Sequence, residues 1–137
     1  MTAIEKTKAI KDLLANNLPA LLAAYTPALD NFDEYLNKSP LRFEDKEICV
    51  YIDFEDNDTD NKRFGAIIQV QIFGEDQVQE YHSVIMPFLE NNLTPDIVDM
   101  TERESIKSKI FPIDLDESTS FILYFVEFSQ PLDKCDF

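Results

Sequence analysis

The side chains able to do chemistry in this chain are few and scattered. His82 is the one histidine, and Cys49 and Cys135 are the only cysteines. A Cys–His couple needs thiol and imidazole within hydrogen-bonding reach, with the base oriented by a third group. Nothing around Cys49 or His82 supplies that arrangement. His82 falls on or beside the apolar side of a helical pattern, where a packed or interface histidine is the expectation. Two distant thiols without a CxxC pair form neither a zinc site nor a disulfide framework. They read as reduced cysteines of a cytosolic protein.

Carboxylates are abundant instead. Asp56, Asp58 and Asp60 take positions 1, 3 and 5 of an EF-hand calcium loop, but Asn61 stands where that loop needs glycine and Ile67 where it needs a bidentate glutamate. This stretch reads as a solvated hairpin tip. Glu80, Glu90 and the trio Asp114, Asp116 and Glu117 are the other candidates for acid–base pairs. With 27 Asp and Glu in the chain, such clusters arise by chance. Gly65 and Gly74 are the only glycines, so no phosphate-cradling GxGxxG or GxxxxGK[ST] and no GxSxG nucleophile elbow can be written. The expectation is a non-enzyme with no catalytic residue, cofactor or metal.

Charge narrows the partners. Against those 27 acidic residues stand 12 basic ones, a formal charge of −15 over 137 residues. Such a surface repels the phosphate backbone, which is bound through Lys and Arg, so direct nucleic-acid binding is disfavoured. It also favours solubility and steers basic partners. No apolar run approaches the roughly 20 residues of a membrane span, and the first residues lack a signal-peptide apolar block. The chain reads as cytoplasmic where it is made.

The elements that would position these groups follow from periodicity. With 45% apolar residues the chain is globular, and its length suits one domain, residues 1–137. Residues 2–18 pattern as an amphipathic helix, with Thr2 and Glu5 spaced as a capping box and Pro19 expected to end or kink it near residues 16–18. Residues 27–46, bracketed by prolines, read as a short helix or an ordered loop. Residues 47–54 and 64–73 alternate with period two and read as antiparallel strands, joined by an exposed polar loop over 55–63. Residues 75–92 give the best helical pattern, through Val78, Tyr81, His82, Ile85 and Leu89, with Pro87 expected to kink or shorten it. Residues 98–100 and 106–113 read as short strands. Residues 120–129 are a near-continuous apolar run, expected to be a strand buried on both faces, by the long helix on one side and another element or subunit on the other.

The fold class is therefore α+β: an N-terminal helix, an antiparallel sheet, one long amphipathic helix packed on one face, and an aromatic-rich C-terminal strand. Phe121, Leu123, Phe125 and Phe128 are the candidate interface residues. Aromatics that stack nucleic-acid bases come with Lys and Arg around them, and this run carries only Glu127.

The run Phe64-Gly-Ala-Ile-Ile-Gln-Val-Gln-Ile-Phe73, followed by Gly74-Glu-Asp and a helix through Tyr81 and Leu89, resembles the middle of phage tail terminator proteins. Residues 12–19 are similar to their leading helix and residues 121–128 to their late strand. The resemblance, one of pattern over most of the chain, implies a homo-oligomeric ring, usually a hexamer. Such a ring caps the tail tube and joins it to head-connector proteins in a virion of a phage or prophage. It carries over no catalytic residue. The competing expectation is an acidic inhibitor or immunity-type protein that sequesters a basic partner.

Overall fold

The computed structural model describes residues 1–24, 48–73, 78–112 and 119–132. The segment 27–46, the trio Asp114, Asp116 and Glu117, and Cys135 lie outside these.

Helix α1 spans Ala3–Ala24. It opens on the capping box anticipated above: the Glu5 amide donates to Thr2 Oγ1 at 3.1 Å and the Thr2 amide to Glu5 Oε1 at 3.2 Å. Two donors that a helix start leaves without partners are thus satisfied. These amide and hydroxyl bonds hold the Glu5 carboxyl below its usual pKa. The helix runs on through Pro19, which withdraws only one backbone donor, and the neighbouring leucines and alanines are strong helix formers.

Strands β1 (Ile48–Asn57) and β2 (Asn61–Phe73) form a hairpin tighter than a long loop over 55–63. Glu55, Asp56 and Asn57 pair with Phe64, Arg63 and Lys62. Only residues 58–60 turn. Asp58 closes the turn by accepting the amides of Asp60 and Asn61 at 2.8 and 2.7 Å, the local bonding that makes aspartate a turn residue. A register shift between Ile52 and Phe54 marks a bulge in β1.

Helix α2 spans Val78–Asn92 and includes Pro87. That proline is exposed, so water can replace the backbone bond it withdraws. Residues 95–98 form a short 3-10 helix closed by Asp99 in the left-handed conformation, where the sequence suggested a strand over 98–100. Pro95 at the first turn presets that backbone.

Strands β3 (Glu102–Arg103), β4 (Lys107–Pro112) and β5 (Thr119–Pro131) complete one antiparallel sheet ordered β1-β2-β5, with β3 and β4 in succession along the far side of β5. The fold is α+β. β2 and β5 pair along their whole length. One sheet face carries Phe64, Ala66, Ile68, Val70, Ile122, Tyr124, Val126 and Phe128, all buried beneath Ile10 and Leu14 of α1 and Tyr81, Ile85 and Leu89 of α2. Two helices therefore cover this face, and α1 is the longer at 22 residues.

Arg103 ties α2 to the sheet edge. Its Nη1 donates to the carbonyls of Leu89 (2.9 Å) and Leu93 (3.1 Å), and its Nη2 to that of Glu90 (3.3 Å). A cation bonded to final-turn carbonyls satisfies acceptors the helix cannot and complements its dipole.

Candidate functional site

Strand alternation distributes the aromatic run 121–128 between two environments. Phe128 is fully buried, its ring stacked with that of Phe64 at 6.2 Å between centroids. It is core, and the assignment of Phe128 to an interface is corrected: Phe128 shares the parity of Ile122, Tyr124 and Val126, which all point under the helices. Phe121, Leu123 and Phe125 have the other parity and are half-buried on the opposite face. Within one chain the strand is thus buried on one face and half-buried on the other.

That opposite face is organised in rows. Tyr51, Ile67, Phe125 and Lys107 lie level across β1, β2, β5 and β4, as do Gln71, Phe121 and Phe111 across the last three. Tyr51 is 48% exposed and Phe111 36%. Among the described residues no helix covers this face. Tyr51, Ile67 and Phe111 went unsingled in the sequence because each looks like an ordinary alternating residue; only the sheet order assembles them.

At the hairpin end the face is latched by an aromatic–charge cluster. The ring of Phe54 lies over Gly65, so close that a β-carbon there would meet ring atoms Cδ1 and Cζ at 2.6 and 2.8 Å. The Arg63 guanidinium sits 4.9 Å from the centre of the same ring. It makes a bidentate pair with Asp56, at 2.9 and 3.2 Å, and approaches Glu127 at 3.4 Å. Because Gly65 presents no side chain, Phe54 reaches toward β5, and a shallow pocket forms between Asp53, Phe54, Glu104, Lys107, Phe125 and Glu127.

The candidate chemical groups do not converge. His82 is half-buried on the helix side, its Nδ1 2.9 Å from the Tyr124 hydroxyl and its ring stacked on that of Tyr124. Burial pushes the Tyr124 hydroxyl above its usual pKa, so it stays neutral, and the tautomer of His82 sets which of the two donates. This pair satisfies a buried hydroxyl. Cys49 pairs in register with Gln69, a position on the face away from α2 and His82. Glu90 is exposed on α2, the helix that also contains Glu80. Asp58 spends its acceptors on its own turn, and Asp56 on Arg63. Among the described residues no three His, Cys, Asp or Glu side chains are grouped to hold a metal ion, and no helix is long and apolar enough to cross a membrane. No protein-family model, curated protein or solved structure matches the chain.

Proposed function

We propose that this protein is a non-catalytic assembly subunit that binds other protein chains, copies of itself foremost, through the apolar face of its sheet. The observation that carries the reading is the row structure of that face: Tyr51, Ile67, Phe125, Leu123, Phe121 and Phe111 form a contiguous half-exposed apolar surface. Contiguous apolar patches rimmed by polar residues mark interaction sites, whereas single exposed hydrophobes need no explanation. The resemblance of the run 64–73, Gly74-Glu-Asp and the helix through Tyr81 and Leu89 to phage tail terminators supports one form of this reading, a ring on a tail tube. The charge of −15 supports a second, in which the same face docks a basic protein.

Sedimentation of the wild-type chain over a concentration series tests the first form, with Phe125→Asp alongside. Phe125 lies outside the core, so the variant stays folded by circular dichroism. An aspartate amid apolar neighbours weakens association by roughly 2 kcal/mol or more, some thirtyfold in Kd. A wild type that stays monomeric at high concentration overturns self-assembly and leaves the basic-partner form. An associating wild type that Phe125→Asp leaves unchanged moves the interface off this face.

A further inference from the structure

The apolar face runs out into charge at its hairpin end, and there it is concave. The pocket beside Phe54 has a volume of about 140 Å³. Phe125 and Glu127 of β5 line it, with Asp53 on the β1 side and Glu104 and Lys107 on the far side of β5. Three carboxylates thus meet one ammonium, an excess of negative charge within one small space. No ion pair among the described residues engages Asp53 or Glu104.

A cation of known kind already sits at the border of this pocket. The Arg63 guanidinium stacks 4.9 Å from the centre of the Phe54 ring, pairs with both oxygens of Asp56 and reaches Glu127 at 3.4 Å. An aromatic ring and carboxylates of this corner therefore hold one guanidinium supplied from within the chain.

Resting on the basic-partner form of the reading above, we infer that the pocket receives an arginine side chain of another protein docked on the apolar face. A guanidinium is planar, stacks on aromatic rings and matches carboxylates through paired N–H donors. Phe54 and Phe125 supply the rings, and Asp53, Glu104 and Glu127 the acceptors. A cavity of about 150 Å³ takes a benzene ring, so a guanidinium fits here. A lysine would meet the charge as a point, without the planar match to ring and carboxylate.

The pocket opens beside Phe125, so apolar neighbours of that arginine would lie on Phe125, Leu123 and Phe121. An arginine seated at the border of an apolar contact is a frequent anchor of protein interfaces. Of the described arginines, Arg63 is engaged by Asp56 and Arg103 by the carbonyls of α2, so neither is free to serve a second copy.

Titration of N-acetyl-arginine amide into the full chain tests the pocket, followed by the amide resonances of Gly65, Glu104 and Ser105. These should shift saturably. N-acetyl-citrulline amide, which lacks the charge, should leave them unmoved at the same concentration. Asp53→Asn with Glu104→Gln should weaken the arginine probe about fivefold or more. Asp12→Asn with Glu90→Gln removes the same charge from exposed helix positions and should leave its affinity unchanged. Asp53 and Glu104 are exposed as well, and circular dichroism verifies that both variants fold. No shift, equal shifts with citrulline, or equal losses in the two variants overturn the pocket while leaving the assembly reading in place. Dispersal of a self-associated wild type by the arginine probe would put a second copy in the pocket and overturn the other protein. A chain that binds the probe yet stays monomeric overturns self-assembly and keeps the pocket.

Discussion

Replacing Gly65 with alanine sets a methyl group into the space that the Phe54 ring occupies. The ring must then leave Gly65, and its stacking against Arg63 goes with it. We expect Gly65→Ala to destabilise the domain by about 1–3 kcal/mol, the usual range for overpacking. In a Phe54→Ala background most of that cost should vanish, since the methyl then enters vacated space. Urea denaturation of the four chains of this cycle measures the coupling; additive effects would mean that the ring and the glycine are independent. Nothing local in the sequence announces this contact, because the bulge between Ile52 and Phe54 sets which residue of β1 lies over Gly65. The His82–Tyr124 bond, between residues 42 apart, was illegible for a similar reason. The capping box of Thr2 and Glu5 was legible because it is complete within four residues.

Elements were easiest to read where one face alone is buried. The strands β1 and β2 and the helix α2 declared themselves by period, and the structure extends both strands into the hairpin. Polarity misled at the hairpin: residues 55–57 and 61–63 are too polar for a core, yet a ladder exposed to water accepts them. Asp58 holds that hairpin's turn. The Asp60 amide, then that of Asn61, keep its carboxyl below the usual value of 3.8. A carboxyl depressed in the folded state contributes stability above its unfolded pKa and loses it as pH falls through the folded one. The stability advantage of the wild type over Asp58→Ala should therefore be complete near neutrality and shrink in acid below the ordinary aspartate range. Thermal melts from about pH 7 to about pH 2 follow the difference. A gap that stays constant would show that the charged carboxylate is not what secures the turn.

At the scale of the whole molecule, the charge of −15 opposes self-association at low ionic strength. Raising salt from about 0.01 to 0.15 M shortens the screening length from about 30 to 8 Å. Long-range repulsion between copies is then largely removed, while charges in contact at a seam are screened less. Light scattering at the two salt levels should show tighter assembly at the higher one. Weaker assembly would mean that contact charges, rather than bulk repulsion, dominate the balance. The sheet order β1-β2-β5 has a consequence for how the chain is born. Every other described element precedes β5, yet β5 is the strand that β2, β3 and β4 all pair with. During N-to-C synthesis the ribosome releases both helices and four strands before the one that joins them. Until then the inward side chains of β2 have only hairpin and helix partners. The long-range pairing of residues 61–73 with 119–131 must close in one late step, so a nascent chain stalled before residue 119 should hold no more of the native sheet than the β1–β2 hairpin and be an obvious client for chaperones.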